Sequence, residues 1–351
     1  MTERRPSVTV ILPTLDEQGF LRDCLDSLSA QDYPAIEEIL VVDGGSGDAT
    51  REIASAVGAP VRVLDNPRTS AAAAMNVGLA AAAGEVVVRA DAHSLYAPDY
   101  VRACVDVLVE TGADNVGGRM QPVGTTSFGR AVAAVTSSPF GVGPGRFHYS
   151  GRRDEVDTVY LGCWRRETLE RLGGYDESRL QWAAEDQELN FRLREKGGRV
   201  LLDPSIRSVY FPRATPRALY RQYFNYGVAK ASTLAKHGTL PTWRPLAPAA
   251  FVVASAVAAV ASRGKRRLAL PALHGAACAV VALRIGRDPG VAPHRAFGAL
   301  EVCHWSYGLG FWSGVARMLA GRGFESRPGA RRRRRPSEAG EVRTGVAADA
   351  R

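Results

Sequence analysis

The sequence predicts an α/β protein in which a parallel or mixed β-sheet carries helices on both faces and is followed by apolar C-terminal helices. Within the first hundred residues, short apolar β-branched segments alternate with segments whose apolar residues recur at helical spacing. Beyond Pro241 the composition changes to long stretches without charge. A chain of 351 residues is long enough to bury a substantial core, as one large domain or two smaller ones.

The expected strands and helices follow one another regularly. Strands are predicted at residues 8–12, 38–43, 61–64 and 86–88, and helices at residues 19–30, 50–57 and 71–83. Pro13 closes the first strand, and Asp48 is a plausible cap for the second helix. Alternation at this pitch favours a sheet covered by helices on both sides.

The stretch from Gly84 to His93 brings two metal-capable side chains to the end of a strand. Three consecutive valines fit a short buried strand, and Asp91 and His93 follow at its carboxyl end. In open α/β sheets, ligands collect at the carboxyl ends of the strands. The stretch therefore predicts a ligand site, and the alternative is a solvated turn with a capping Asp.

A second polar segment follows the strand at residues 38–43. Asp43 can accept a hydrogen bond from a base or a ribose there, and the alternative is turn and cap chemistry for Asp43 and Asp48. Gly45 and Gly47 approach the dinucleotide fingerprint, but its third glycine is absent and the cluster does not follow the first strand. The sequence also contains no Gly-Lys-Ser/Thr phosphate loop.

Five motifs follow one another in order, at residues 13–17, 42–48, 66–78, 84–93 and 173–189. Together they resemble family 2 glycosyltransferases, in particular the membrane-associated exopolysaccharide enzymes of the succinoglycan-synthesis group. The resemblance covers roughly residues 7 to 230. It implies a GT-A fold, which is a Rossmann-like mixed sheet with helices on both faces.

The resemblance implies a nucleotide-sugar donor and a divalent cation, Mn²⁺ or Mg²⁺, that neutralises the diphosphate leaving group. Asp91 and His93 would hold the cation. The family usually shows Asp-x-Asp where this chain has Asp-Ala-His, and imidazole shifts the preference towards Mn²⁺. It also shows Asn-Glu where this chain has Asp16-Glu17. The residues expected to contact the donor are Pro13, Thr14, Glu17, Asp43, Arg68 and Asp91.

Glu185 and Asp186 begin a predicted helix, where acids also complement the helix dipole. Family 2 enzymes carry a Glu-Asp pair at this place, so Asp186 would deprotonate the acceptor hydroxyl, with inversion at the anomeric carbon. Trp164 and Trp182 are candidates for stacking on the acceptor sugar. Either tryptophan could equally belong to the core.

Three apolar segments follow, at residues 246–262, 268–283 and 296–319. The first two are borderline for a membrane span, which needs about 20 apolar residues. If the first segment crossed from a cytosolic domain, the basic loop at residues 263–267 would lie outside, against the positive-inside tendency. A shallow hairpin or helices lying in the interface would keep this loop inside.

The distribution of charge indicates the class of binding partner, and the spacing of the cysteines indicates which structural sites to expect. The net charge is +9, and the basic excess lies after residue 245, where 17 Lys+Arg accompany 6 Asp+Glu. A basic excess beside apolar segments favours an anionic membrane surface over a nucleic acid. Five separated cysteines without a Cys-x-x-Cys spacing disfavour a disulfide framework or a zinc knuckle.

Together these features predict an inverting glycosyltransferase of cell-surface or exopolysaccharide synthesis, at the inner membrane with its catalytic domain facing the cytosol. We expect a UDP-sugar donor and a polyprenyl-linked or growing saccharide as acceptor. The predicted organisation is a catalytic domain at 1–235, a membrane-associated or transmembrane helical region at 236–325 and a basic disordered tail at 326–351. The alternatives are a membrane-attached nucleotidyltransferase and a non-catalytic saccharide-binding protein. Residues 221–227 lack the Gln-x-x-Arg-Trp motif of processive relatives, which favours one sugar per encounter.

Overall fold

A computed structural model describes residues 5–143, 145–177, 184–239 and 243–320. Its strands are β1 (Val8–Thr14), β2 (Ile36–Asp43), β3 (Val61–Asp65), β4 (Val86–Arg89), β5 (Ser94–Tyr96), β6 (Asn115–Pro122), β7 (Asp154–Glu155), β8 (Tyr160–Arg165) and β9 (Val200–Tyr210). Its helices are α1 (Leu21–Ser29), α2 (Thr50–Ser55), α3 (Ala71–Ala81), α4 (Tyr100–Thr111), α5 (Ser127–Thr136), α6 (Pro139–Val142), α7 (Arg166–Leu172), α8 (Glu185–Glu195), α9 (Pro216–His237), α10 (Ala247–Ala261), α11 (Ala269–Ile285) and α12 (Pro293–Leu319). Short 3-10 helices lie at Arg146–His148, Arg244–Leu246 and Gly264–Leu268.

Within those ranges, nine strands form one mixed sheet in the order β3-β2-β1-β4-β8-β6-β9-β5, with β7 also paired to β9. The strand β1 lies between β2 and β4 and is parallel to both. The strand β8 runs antiparallel to β4 and β6. The mixed sheet predicted from the sequence is confirmed, and its parallel part contains the four strands that the sequence predicts.

Helices cover both faces of this sheet, as predicted. Successive residues of a strand point to opposite faces, so Val10 packs into the cluster shared with α1 and α4, whereas Ile11 packs into the cluster shared with α3 and α8. Both side chains are fully buried. Because neither face meets water, the central strands are apolar at nearly every position and their polar residues collect at the carboxyl ends.

Local sequence explains where two helices begin. Thr215 caps α9 by accepting a hydrogen bond from the backbone N–H of Ala218, and Pro216 occupies the first turn. At the start of α2, Asp48 accepts a hydrogen bond from the backbone N–H of Thr50 at 3.0 Å. The N-cap residue itself is Ala49, so Asp48 lies one residue before the cap position and binds the N–H of the first helical residue.

The helix α9 packs backbone to backbone against α12. A Cβ atom on Gly227 would lie 2.1 Å from the carbonyl oxygen of Tyr307, and one on Gly310 would lie 2.0 Å from that of Phe224. Only glycine permits this approach. Because α9 continues to His237, it crosses the boundary expected at 235, and that boundary stays a prediction.

Among the described residues, the segment Gly264–Ile285 is the one long and apolar enough to cross a membrane by length and composition. The helix α10 has 15 residues and is shorter than a span requires. The loop with the basic residues 263–267 connects α10 to α11 and is exposed. The tail predicted at 326–351 lies outside the described residues.

Candidate active site

A cavity of about 1150 Å³ opens at the carboxyl ends of the central parallel strands. The ends of β1, β4 and β9 contribute to its wall, and residues of α5, α8, α9 and α12 close its other sides. Its position agrees with the rule that open α/β sheets bind ligands at the carboxyl ends of their strands. The sheet and the C-terminal helices thus build one shared site.

Most of the residues expected to bind the donor meet in this cavity. Those that line it are Pro13, Thr14, Glu17, Arg68 and Asp91. The hydroxyl of Thr14, at the end of β1, is buried and has no hydrogen-bond partner in the described part of the chain. A buried hydroxyl without a partner is costly, so a ligand in the cavity would satisfy it. The guanidinium of Arg68 is largely exposed and pairs with Glu177 at 2.5 Å.

Asp43 is not among the residues that line the cavity. Its buried carboxylate accepts hydrogen bonds from the backbone N–H groups of Gly45 and Ser46, both at 3.1 Å, and from the Ser46 hydroxyl at 2.5 Å. Arg51 lies 3.5 Å from the same carboxylate. These contacts are the turn chemistry that the sequence left as the alternative, and contact between Asp43 and a nucleoside stays a prediction.

Asp91 and His93 both reach the cavity from the loop after β4. The Nδ1 atom of His93 is buried without a hydrogen-bond partner in the described ranges and lies 3.6 Å from Oε1 of Glu17. The Tyr160 hydroxyl donates to Oδ2 of Asp91 at 3.5 Å. An imidazole nitrogen without a partner beside the Glu17 carboxylate suits one ligand of a divalent cation. Within the described residues, however, Glu17, Asp91 and His93 do not form a group of three ligand atoms within 4.8 Å of one another.

Arg89 holds the acidic pair at the start of α8 against the end of β4. Its guanidinium donates to Asp186 and, at 2.9 Å, to Glu185. Ala184 precedes the pair with φ 66°, a left-handed conformation that costs a residue other than glycine about 1–3 kcal/mol. This turn directs the start of α8 to the cavity, and all four residues line it.

Three carboxylates share this one guanidinium. Oxygens of Asp91, Glu185 and Asp186 all lie within 3.6 Å of Arg89, whose side chain is only 7% exposed. Burial raises the pKa of Asp186 to about 7, with Arg89 opposing the rise and Glu185 adding to it. One buried positive charge does not balance three acids, so a carboxyl group that exchanges its proton near neutral pH is expected here. Such a pKa suits a general base.

Trp164 is a core residue. Its side chain is fully buried in the cluster between the sheet and α3, α7 and α8, and its ring meets that of Tyr175 edge to face. This corrects the prediction of a stacking role, because Trp164 packs under α3, α7 and α8 and is not among the residues that line the cavity. Trp182, the other candidate for acceptor stacking, lies outside the described residues.

Two residues of the site were missed in the sequence. Arg89 ends a run of buried valines, and a charge at such a position needs buried partners, which was a usable signal. Lys230 on α9 lines the cavity and donates to Gln187 at 2.5 Å. Burial lowers the pKa of Lys230 to about 8, with Asp157 opposing the change. No sequence pattern marks Lys230, because its place depends on how α9 packs beside α8.

Comparisons of sequence show which known proteins this chain resembles. The sequence model of the family described as Glycosyl transferase family 2 matches residues 9–157. The chain is 31% identical over 313 residues to the succinoglycan biosynthesis protein ExoA of Rhizobium meliloti. The aligned region covers 87% of this chain and 94% of that protein. It is 23% identical over 245 residues, 65% of this chain and 74% of the relative, to a dolichyl N-acetyl-alpha-D-glucosaminyl phosphate 3-beta-D-2,3-diacetamido-2,3-dideoxy-beta-D-glucuronosyltransferase of Methanococcus voltae.

A comparison of structures finds the same fold in a mannosyltransferase of Pyrobaculum calidifontis that was solved in complex with GDP-Man and Mn²⁺. The TM-score is 0.57 at 23% identity, over 86% of this chain and 88% of the other. At this level of identity the likeness establishes the fold. The GT-A type of sheet predicted from the motifs is confirmed.

Proposed function

The chain belongs to glycosyl transferase family 2, and from this premise we propose that it moves a sugar, with inversion, from a nucleoside diphosphate to a polyprenyl-linked or growing saccharide. It is a glycosyltransferase related to proteins of exopolysaccharide and glycan synthesis. The observation that carries the proposal is the contact of Arg89 with Asp186 on the wall of the cavity that Asp91 also lines. The catalytic base, Asp186, and the donor-binding residue Asp91 would therefore line the same cavity.

The donor would lie along the ends of β1 and β4. The unpartnered hydroxyl of Thr14 suits a ribose or phosphate oxygen, and the exposed guanidinium of Arg68 suits a diphosphate. Asp91 and His93 would hold a divalent cation, which neutralises the charge of the leaving diphosphate when bound. The imidazole favours Mn²⁺ over Mg²⁺. Because the similar mannosyltransferase was solved with GDP-Man, guanosine donors belong in the test beside UDP-sugars.

The base would be Asp186. Its carboxylate would take the proton of the acceptor hydroxyl as that oxygen attacks the anomeric carbon from the face opposite the diphosphate, which inverts the centre. Help of this kind contributes on the order of 10²- to 10⁴-fold. Glu185 binds the other side of the same guanidinium, so it would position Arg89 and thereby the base.

The acceptor would enter from the side of the C-terminal helices. The cavity wall continues from the base to apolar residues of α9, α10 and α12, which suits a lipid-linked saccharide. These wall residues include Tyr223, Phe251 and Tyr307. The apolar segment Gly264–Ile285 and the exposed basic loop before it suit attachment to the inner membrane with the catalytic part in the cytosol.

A donor screen tests the proposal. The full chain in lipid nanodiscs is supplied with Mn²⁺, a polyprenyl-linked acceptor and a panel of UDP- and GDP-sugars. We expect release of the nucleoside diphosphate with at least one donor, and a product with the anomeric configuration opposite to that of the donor by NMR. Release of pyrophosphate from a nucleoside triphosphate would instead identify a nucleotidyltransferase, and saccharide binding without turnover would identify a binding protein. Either result would overturn the proposal.

A further inference from the structure

A second cluster of ligand atoms lies between α11 and α12, apart from the donor and base sites. His274 and Cys278 are one turn apart on α11, and His304 faces them from α12. Nε2 of His274 is 3.0 Å from Nδ1 of His304. Sγ of Cys278 is 3.6 Å from the first nitrogen and 4.0 Å from the second. Two nitrogens and one sulfur thus form a compact triangle.

The sides of this triangle match the edges of a tetrahedral zinc site. Zinc binds nitrogen at about 2.0–2.1 Å and sulfur at about 2.3 Å, so tetrahedral angles give N···N separations of about 3.3 Å and N···S separations of about 3.6 Å. The three distances agree with these values to within about 0.4 Å. A cation would therefore fit with small side-chain movements.

The outer nitrogen of each imidazole faces an acceptor. Nε2 of His304 is 2.9 Å from the backbone oxygen of Phe140, and because a carbonyl only accepts, this nitrogen carries the proton. Nδ1 of His274 is 3.1 Å from Oε1 of Glu301, although this oxygen accepts no hydrogen bond within the described residues. The Nδ1 atom of His304 therefore presents a lone pair to Nε2 of His274. Either a proton on His274 or a cation can occupy the space between the two nitrogens.

We propose that His274, Cys278 and His304 bind a soft divalent cation, with Zn²⁺ as the best-suited ion. Metal-bound histidines usually donate their other N–H to a carboxylate or a backbone carbonyl, as His304 does here to Phe140. Thiolate and imidazole select zinc, whereas Mg²⁺ and Mn²⁺ prefer oxygen. The dication, the Cys278 thiolate and the Glu301 carboxylate sum to zero charge, which suits a site among apolar helices.

The surroundings already hold the ligands in place. The ring of Phe251 stacks on His274 with centroids 4.3 Å apart, and the indole N–H of Trp305 donates to Oε2 of Glu301 at 2.9 Å. Both histidines line the shared cavity, so a cation held by them would lie at its wall. A cation here would tie α11 to α12 and, through the carbonyl of Phe140, to α6 at the cavity wall.

Metal analysis of the full chain tests the proposal without any measurement of sugar transfer. The protein is purified in detergent micelles, equilibrated with Zn²⁺ and dialysed, and we expect about one tightly bound zinc per chain by mass spectrometry. Exchange for Co²⁺ should produce a thiolate-to-cobalt charge-transfer absorption. If neither zinc nor the cobalt absorption is retained, the cluster is a hydrogen-bonded imidazolium pair and the proposal is wrong.

Variants assign the site to its residues. Cys278→Ser should abolish the cobalt absorption and weaken zinc binding by more than about 100-fold, and Glu301→Gln should weaken zinc binding by about 10- to 100-fold. Cys303→Ser is the matched control, because Cys303 is also buried beside His304 but contacts Tyr223 and is not part of the triangle. It should keep both signals. An absorption that survives Cys278→Ser, or disappears equally in Cys303→Ser, would overturn the assignment.

Discussion

The cavity has two polar clusters of different chemistry. Around Arg89, at the ends of β4 and α8, oxygen dominates, and three carboxylates face a single guanidinium. Between α11 and α12, nitrogen and sulfur dominate, and one carboxylate lies behind His274. Oxygen ligands suit Mg²⁺, Mn²⁺ and phosphate-bound cations, whereas imidazole with thiolate suits Zn²⁺. The two clusters at the wall of one cavity therefore differ in the ions that they would hold.

The difference follows from how the elements deliver side chains. A strand that ends at the cavity places residues two apart on the same side, so β4 and the loop after it bring Arg89 and Asp91 together. A helix instead aligns residues three or four apart, as α11 does with His274 and Cys278. Perturbing the first cluster should change transfer and its pH dependence. Perturbing the second should change metal content.

Asp186→Asn should show the largest difference between the two clusters, because it should lower the transfer rate without changing the zinc content. The amide cannot take a proton, so we expect the transfer rate to fall by about 10²- to 10⁴-fold while donor affinity and zinc content stay unchanged. Transfer rates and titration calorimetry with the donor measure this. The control is Glu195→Gln, an exposed acid on the same helix. Unchanged transfer in Asp186→Asn would remove this residue from the mechanism.

Arg89→Met tests whether the carboxylate cluster depends on one counter-charge. Because the variant leaves buried acids unpaired, we expect a loss of about 3–5 kcal/mol in the free energy of unfolding. Denaturant unfolding followed by circular dichroism measures it. Arg102 is a matched control, since it also faces three acids, Asp32, Asp99 and Asp106, but is 38% exposed. Arg102→Met should cost no more than about 1 kcal/mol, and equal losses would refute the special role of Arg89.

The dependence of kcat/KM on pH should report the protonation of Asp186 in the carboxylate cluster around Arg89. Burial raises the pKa of Asp186 to about 7, so its proton-accepting form is lost as the pH falls below that value. We expect kcat/KM to decrease about tenfold per pH unit on the acid side and to level off above it. The residual activity of Asp186→Asn is the control and should lack this limb. A profile that stays flat down to pH 5 would contradict the assignment of Asp186 as base.

His93→Asp should have the smallest effect on transfer of these variants. It tests how an imidazole and a carboxylate differ as metal ligands at the donor site. A second carboxylate in place of imidazole should retain transfer and shift the preference from Mn²⁺ towards Mg²⁺ by a few-fold, because Mg²⁺ prefers oxygen. Transfer rates at a series of Mn²⁺ concentrations and of Mg²⁺ concentrations measure the shift in metal preference. Zinc content should not change, since His93 is not one of the three residues of the helix cluster. If the metal preference is indifferent to this change, His93 is not a ligand and Asp91 works alone.

The strands, the helices and the ends of the strands could be predicted from the sequence, because each depends on residues that are close together along the chain. The alternation of apolar segments predicted the parallel strands and the helices on both faces, and the polar residues after each strand predicted where the cavity opens. Asp91 and His93 reach the cavity for that reason. The same local argument left Asp43 undecided, because a carboxylate after a strand serves a turn as readily as a ligand.

The sequence by itself determined the fold class, the family and the acidic pair that begins α8, since short-range spacing and ordered motifs encode these features. Only the tertiary structure decided that Arg89 holds Asp186, a residue 97 positions away, and that Trp164 is buried under helices. It alone brought His274 and Cys278 to His304, which is 30 positions from His274 on another helix. Contacts of this kind depend on how finished elements pack against one another, and no spacing along the chain records that packing.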